Sequence, residues 1–208
     1  MHVVGLILLE LFTSEGCSSC PPADALLAEL AAEPNVVALE LHVDYWDDLG
    51  WKDPFSQRAF SERQALYQAR FGSRGVYTPE LVVNGAAEAV GSDRGRIRSL
   101  LASVPKAEAP VTVTARRDGD AMVVQATSGG SGELWVAVAE SGLTTDVKRG
   151  ENAGRKLAHG AVVRRLERVP SSDELRVPVN SSWKNLSVVA FSQDPRTGRI
   201  LGVARTTP

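Results

Sequence analysis

The sequence predicts an α/β domain over residues 1–105, followed by an antiparallel β-rich, sandwich-like domain over residues 110–208. In the first half, apolar runs alternate with segments of helical period, whereas the second half consists of short alternating runs divided by turn residues. The segment PKAEAP, residues 105–110, separates the halves as a linker would. Charge differs as well, since residues 1–105 carry 8 Lys/Arg against 14 Asp/Glu and residues 106–208 carry 15 against 11.

The first half begins with a predicted order of strand, helix, strand and long loop. Val3–Phe12 is apolar and too short for a long helix, as expected of a buried central strand. A helix follows with Pro21 at its start, where a missing N–H costs nothing. Val36–Val43 is a second apolar run, and residues 42–55 are aromatic and acidic without a regular period, which indicates a loop.

The first half then continues with a helix, two short strands and a last helix. Ser56–Phe71 reads as a helix closed by Gly72. A short apolar run follows Thr78-Pro79, and Asn84-Gly85 is a strong hairpin signal. Ser92-Asp93 can cap the last helix, which is expected to run to about Val104. The predicted order is therefore β-α-β-α-β-β-α.

The second half is predicted to contain six strands joined by Gly, Ser, Asn and Asp turns. Alternation of apolar and polar residues in short runs is typical of an antiparallel sandwich or barrel. The runs are VTVTA, AMVVQAT, ELWVAVAE, ELRVPV, LSVVAFSQ and ILGVAR. We expect this half to pack on the first and to carry no catalytic group of its own.

Both cysteines of the chain, Cys17 and Cys20, stand in the turn between the first strand and the first helix. Unpaired N–H groups and the helix dipole favour a thiolate at this place, so Cys17 is predicted to be the more exposed and more acidic thiol. Cys20, about one turn inside the helix, would resolve a mixed disulfide. A C-x-x-C pair in this position, followed later by Thr78-Pro79 before a strand and a hairpin, predicts a thioredoxin fold.

Four segments carry a resemblance to a known family: ELFTSEGCSSCPPAD, LHVDYWDDLGWKDPF, VYTPELVVNG and GENAGRKLAH. Together they resemble the thioredoxin-like family of uncharacterised bacterial secreted proteins. The resemblance implies a cis peptide bond before Pro79, with the proline facing the cysteine pair. It also implies that Thr78 offers backbone groups to a bound thiol substrate, and that the protein is periplasmic or secreted.

The leading functional hypothesis is thiol–disulfide exchange with a protein or small-molecule substrate, without a cofactor or a metal. Other roles of the pair stay open on the sequence. A permanent disulfide would close only a small loop and stabilise little. The main alternative is a binding protein without catalytic turnover, whose cysteines hold a partner or a soft metal such as copper(I), with His42 as a further ligand.

Several further residues could assist the pair, although each has an ordinary structural interpretation. Glu15 could accept a proton near Cys20 if it is buried, but a solvated carboxylate is the more common case. Asp44 and Trp46 could line a groove, or they could belong to a small satellite core. Arg155 and His159, in a basic and glycine-bearing segment, could lean over Cys17 or form a purely structural loop.

Composition and motifs exclude several classes of function. The formal net charge is −2, which gives no case for nucleic acid as a partner. No segment reaches the roughly 18 apolar residues that span a bilayer, so no membrane span is predicted. The opening MHVVGLILLELF has no basic n-region and no small-residue cleavage site, so we interpret it as a strand rather than a leader. Nucleotide-binding and esterase motifs do not occur.

Overall fold

The structure, a computed structural model, describes residues 5–169 and 174–208 and has a mixed α/β fold with one large sheet. The helices are α1 (Pro21–Leu30), α2 (Arg58–Phe71) and α3 (Arg94–Ser103). The strands are β1 (Ile7–Thr13), β2 (Val36–His42), β3 (Glu80–Val83), β4 (Ala87–Val90), β5 (Val111–Asp118), β6 (Ala121–Ser128), β7 (Glu133–Glu140), β8 (Leu143–Asp146), β9 (Lys156–His159), β10 (Val162–Arg168), β11 (Leu175–Pro178), β12 (Leu186–Gln193) and β13 (Ile200–Thr206). The element order of the first half agrees with the prediction. Val3 and Val4, which we assigned to the first strand, lie outside the described residues.

Eight strands form the central sheet, in the order β13-β12-β7-β10-β2-β1-β3-β4. β1 and β2 are parallel, with Ile7 opposite Val36 and Thr13 opposite His42, whereas β3 runs antiparallel both to β1 and to β4. The carboxyl ends of parallel strands meet at one edge of a sheet. The cysteine turn that follows β1 and the histidine that ends β2 therefore lie side by side.

Helices cover both faces of the part of the central sheet that the first half of the chain forms. On one face, Leu39 and Leu41 of β2 pack with Phe60 and Tyr67 of α2. On the other face, apolar residues of β1 and β2 pack against α1 and α3. Because side chains alternate along a strand, Glu40 and His42 point to the α1 side, opposite to their leucine neighbours.

The smaller sheets complete the second half. β11, β6 and β5 form a three-stranded antiparallel sheet, and β8 pairs with β9 in a separate hairpin. Met122 and Val177 of the three-stranded sheet share a buried cluster with Val136 of β7 and Val188 of β12. The three-stranded sheet thus covers part of the central sheet, as the layers of a sandwich do.

The second half differs from the separate sandwich that we predicted. Four of its strands, β7, β10, β12 and β13, continue the sheet of the first half, so the sheet crosses the predicted boundary at residues 105–110. The two halves join where β10 runs parallel to β2, with Val162 opposite Glu40 and the Glu40 amide donating to the Ala161 carbonyl at 2.8 Å. A buried strand such as β2 needs hydrogen-bond partners on both edges. Alternation along a strand predicts its buried face, but it does not identify its neighbour.

The ends of α2 and α3 follow the predicted signals. Gly72 ends α2 in the left-handed conformation, and its N–H donates to the Gln68 carbonyl. The Asp93 side chain caps α3 by accepting from the Arg96 amide at 2.9 Å. Among the helices of residues 5–169 and 174–208, none is long and apolar enough to cross a membrane.

Candidate functional site

Cys17 and Cys20 form a disulfide in the turn between β1 and α1, with a Cα–Cα distance of 5.5 Å. We expected Cys20 about one turn inside the helix, but it is the N-cap of α1, and its carbonyl accepts from the amides of Ala23 and Asp24. The helix begins at Pro21, because proline fits only the first helical positions. Both cysteines are completely buried, so the prediction that Cys17 is the more exposed one is wrong for this disulfide form.

The Thr78–Pro79 segment lies beside the cysteine turn. Its peptide bond is cis, as the resemblance implies. Ser19 joins the segment to the pair, because its hydroxyl lies 3.3 Å from Cys17 Sγ and donates to the Thr78 carbonyl at 3.5 Å. Trp46 is half-buried, and its Nε1 donates to Thr78 Oγ1 at 2.8 Å. Trp46 therefore lies next to the segment that we expected to bind substrate.

Residues 147–155, the connection between β8 and β9, form a covering loop over the cysteine turn. The buried Nδ2 of Asn152 donates to the carbonyls of Glu15 and Cys17, at 2.9 Å each. Arg155 is exposed, and its Nη1 donates to Asn152 Oδ1 at 2.9 Å, so it contacts the residue that binds the cysteine turn. The covering loop is thus attached to the backbone on both sides of Gly16.

A second contact of the covering loop lies at the surface. The Ser18 amide donates to Glu151 Oε2 at 3.0 Å, and hydrogen bonding from Ser18 lowers the pKa of Glu151. We expected the second half of the chain to stand apart from the chemistry of the pair. Instead, it supplies Glu151 and Asn152 to the cysteine turn.

Five buried residues, Glu15, Glu40, His42, Asp53 and His159, form a histidine–carboxylate cluster at the same edge of the sheet. They come from the cysteine turn, from β2, from the loop after β2 and from the end of β9. Three carboxyl groups thus surround two imidazoles in a region without solvent contact. Such groups stay ionised inside a protein only when they are paired.

His42 is held by Asp53, because its Nδ1 lies 2.7 Å from Asp53 Oδ2. Burial alone would lower the pKa of His42, but the carboxylates of Asp53 and Glu40 outweigh burial and raise it to about 10. Burial alone would raise the pKa of Asp53, but the charge of His42 outweighs burial, so the pKa of Asp53 is lowered. Asp53 Oδ2 also accepts from the Glu15 amide at 2.8 Å, which connects the cluster to the cysteine turn.

His159 links the other two carboxyl groups. Its Nε2 lies 3.2 Å from Glu15 Oε1, and its Nδ1 lies 3.6 Å from Glu40 Oε2. Burial opposes its charge, but Glu15 and Glu40 raise the pKa of His159 to about 9. Burial alone would raise the pKa of Glu40, but the two histidines outweigh burial, so the pKa of Glu40 is lowered. Glu15 also accepts from Trp51 Nε1 at 2.8 Å, so it is buried and paired rather than solvated.

Asp24, in the first turn of α1, is a further buried acid near this cluster. Burial, followed by the Glu40 charge, raises the pKa of Asp24 to about 7. Its Oδ1 accepts from Thr13 Oγ1 at 2.7 Å. A cleft of about 340 Å³ between α1 and β9 is lined in part by Asp24, His159 and Gly160.

Asp44 has a different role from the groove residue that we considered. Its Oδ1 accepts from Ser61 Oγ at 2.5 Å, and its amide donates to the same hydroxyl at 3.1 Å. Asp44 therefore ties the loop after β2 to α2.

Of these five residues, Glu15, His42 and His159 were predicted from the sequence, whereas Glu40 and Asp53 were not. A signal for Glu40 exists, because a carboxylate two residues before a histidine, inside the run VVALELHV, must share its face of a buried strand. Asp53 has no comparable signal, since it is one of several acids in an irregular loop.

Comparison with known proteins gives three results. A model of the family described as "Protein of unknown function (DUF1223)" matches residues 8–193. A probable thioredoxin of Archaeoglobus fulgidus is 32% identical over 97 residues, which are 46% of this chain and 87% of that protein. The X-ray crystal structure of a protein from Agrobacterium tumefaciens superposes with a TM-score of 0.69 and 29% identity, covering 97% of this chain and 93% of that one.

Proposed function

The chain belongs to the family of unknown function DUF1223, and we propose that it carries out thiol–disulfide exchange through Cys17 and Cys20. The observation that carries this proposal is the position of the pair: a disulfide with C-x-x-C spacing at the first turn of a helix, beside the cis Thr78–Pro79 segment. The identity with a probable thioredoxin over 97 residues supports it. We also propose that β1–β4 with α1–α3 form a thioredoxin-like unit.

The reaction needs two exchange steps. A substrate thiolate attacks Cys17 Sγ, a mixed disulfide forms, and the Cys17–Cys20 bond breaks so that Cys20 leaves as a thiolate. A second substrate thiolate then attacks the substrate sulfur of the mixed disulfide, which releases Cys17 as a thiolate and the substrate as a disulfide. Reduction of a substrate uses the same steps in reverse. The substrate is a protein or a small molecule that carries a thiol or a disulfide.

The surroundings of Cys17 support its role as the attacked sulfur. The N-terminus of α1 favours a negative charge nearby, and the Ser19 hydroxyl, 3.3 Å from Cys17 Sγ, can donate to a thiolate there. The backbone of Thr78 lies next to Ser19 and offers a bound substrate strand its polar groups. Because both cysteines are buried, a substrate needs a route to Cys17, and we propose that the covering loop moves to open it, beginning with the exposed contact between Ser18 and Glu151.

A compartment that maintains disulfides suits this chemistry, and we propose a periplasmic or secreted location. Disulfides form and persist in such oxidising compartments and are rare in the cytosol.

The test is the reduction potential of the pair in glutathione buffers, together with turnover of a disulfide substrate such as insulin. We expect a reversible potential between about −120 and −270 mV, the range of exchange proteins. Cys17→Ser should abolish turnover, whereas Ser18→Ala, a neighbouring change that keeps the pair, should retain it. Wild-type protein without turnover, or Cys17→Ser with full turnover, would refute the proposal.

The same measurement with copper(I) tests the alternative of a soft-metal-binding protein. Copper(I) binds thiolates, so binding requires the reduced pair. Tight binding of one copper(I) by reduced protein that shows no turnover would favour the alternative.

A further inference from the structure

The histidine–carboxylate cluster contains three buried polar atoms that lie close together without forming hydrogen bonds. In the part of the chain that the structure describes, Glu40 Oε2, His42 Nε2 and His159 Nδ1 are buried and have no hydrogen-bond partner. A buried polar atom without a partner is costly and therefore rare. Here three of them lie within 4.8 Å of one another.

The distances between these atoms suit an ion better than direct hydrogen bonds. Glu40 Oε2 lies 3.6 Å from His159 Nδ1 and 4.0 Å from His42 Nε2, whereas hydrogen bonds from nitrogen to oxygen end near 3.2 Å. The ligands of a tetrahedral zinc ion, each about 2.0–2.1 Å from the metal, are about 3.3 Å apart. The two measured distances from Glu40 Oε2, 3.6 and 4.0 Å, are only slightly longer than that spacing.

Each of the three side chains is held by its other polar atom. Asp53 lies on Nδ1 of His42, Glu15 lies on Nε2 of His159, and the Gly160 amide donates to Glu40 Oε1 at 3.0 Å. A carboxylate on the outer nitrogen of a histidine fixes the ring and leaves the inner nitrogen free to bind a metal. This pattern of outer partners is typical of metal sites.

Charge and access also favour a cation at this place. The carboxyl groups of Glu15, Glu40 and Asp53 outnumber the two imidazoles, so the cluster attracts positive charge. Phe55 packs against His42 and His159, with ring centroids 5.3 and 5.6 Å apart, and closes one side. On the α1 side, the cleft of about 340 Å³ reaches His159, and a second cleft of about 100 Å³ is lined in part by Glu40.

We propose that Glu40, His42 and His159 bind one divalent first-row transition-metal ion, of the zinc type. Two imidazole nitrogens and one carboxylate oxygen suit zinc or iron(II) and leave at least one position for water or an anion. The site uses neither Cys17 nor Cys20, and it therefore differs from a copper(I) site on the cysteine pair. It is independent of the exchange function, so either proposal can fail without the other.

The experiment titrates the full, oxidised, metal-free protein with Co²⁺ and Zn²⁺. We expect one ion per chain, with the visible bands of Co²⁺ bound by nitrogen and oxygen and without a near-ultraviolet thiolate band. The double variant Cys17→Ser, Cys20→Ser should bind within about 2-fold of wild type. Zn²⁺ should also raise the melting temperature, because only the folded chain holds the site.

Variants of the cluster give the decisive comparison. Glu40→Gln and His159→Gln should weaken Zn²⁺ binding by about 100-fold or more, and Asp53→Asn, which removes an outer partner, by about 10–100-fold. Glu80→Gln is the matched control, since Glu80 is also a buried glutamate with one unpartnered oxygen in the described structure, and it should bind as wild type does. Near-ultraviolet circular dichroism verifies folding, and Asp53→Asn gives the comparison if the ligand variants do not fold.

Three results would overturn the proposal: folded wild-type protein that binds no Co²⁺ or Zn²⁺, binding that is lost in the double cysteine variant, or binding unchanged in the folded cluster variants. The first would mean that the cluster shares only protons. The second would place the metal on the thiols.

Discussion

Asn152 Nδ2 donates to the carbonyl oxygens of both Glu15 and Cys17, at 2.9 Å each, and so joins the covering loop to the cysteine turn. The Glu15 carbonyl precedes Gly16 and the Cys17 carbonyl follows it, in the turn that brings the two sulfurs together. A single amide nitrogen from the second half of the chain thus binds the backbone of the cysteine turn at two points.

We expect Asn152→Ala to loosen this turn. The Cys17 carbonyl keeps the Cys20 amide as a donor, but the Glu15 carbonyl loses the Asn152 amide, which costs about 1–3 kcal/mol of unfolding free energy. The Cys17–Cys20 disulfide should also be reduced several-fold faster by dithiothreitol, since the covering loop is released. Stopped-flow reduction and urea unfolding measure the two effects. Lys148→Ala, an exposed change in the same loop, should alter neither, and an equal effect of both variants would contradict the role of Asn152.

The isolated fragment of residues 1–105 should not fold stably. It loses β10 from the edge of β2, and Leu39 and Val37 lose the apolar residues of β7, β10 and β12 that complete their cluster. Circular dichroism and one-dimensional NMR of the fragment and the full chain test this expectation. A cooperative unfolding transition of the fragment, similar to that of the full chain, would show that the second half is dispensable for folding.

The raised pKa of Asp24 predicts how stability depends on pH. Its folded pKa of about 7 exceeds the usual unfolded value of about 3.9, so the folded state holds the proton more tightly. The stabilisation is complete below about pH 4 and is lost as the pH rises to about 7. Asp24→Asn should therefore gain about 1–3 kcal/mol relative to wild type between pH 4 and 8. Asp48→Asn, an exposed control, should show no such change, and a flat difference for Asp24→Asn would refute the prediction.

The buried ion pair between Glu10 of β1 and Arg63 of α2 predicts an asymmetric response. Arg63 Nε donates to Glu10 Oε1 at 2.6 Å, and both side chains are buried. Arg63→Met should cost about 3–5 kcal/mol, because an unpaired charge remains in the core, whereas the double variant Glu10→Leu, Arg63→Met should cost less. Urea unfolding measures both. Arg58→Met breaks an exposed pair and should change stability by less than about 1 kcal/mol.

Local signals were sufficient to predict most of the first half. Strand alternation, the proline at the start of α1 and the glycine after α2 each act within a few residues, so the order of elements could be derived. The neighbours of the later strands could not be derived, because the apolar pattern of β10 does not identify β2 as its partner. Sheet assignment depends on contacts that are distant in sequence.

The same distinction between local and long-range signals applies to the candidate site. The cysteine turn and the Thr78–Pro79 segment have short motifs, and both could be selected from the sequence. The burial of Glu15 could not be predicted, because its partners Trp51 and His159 are 36 and 144 residues away in the sequence. Its surroundings exist only after the chain has folded.

The position of the covering loop in the chain has a consequence for biosynthesis. Asn152 follows Cys17 by 135 residues, and a ribosome adds about 5–20 residues per second, so about 7–27 s pass before the loop is made. During this interval the emerging chain leaves both sulfurs open to oxidants and thiols of its surroundings. The pair can therefore be oxidised or reduced before Asn152 binds the cysteine turn, and the loop joins a turn whose sulfurs have already reacted.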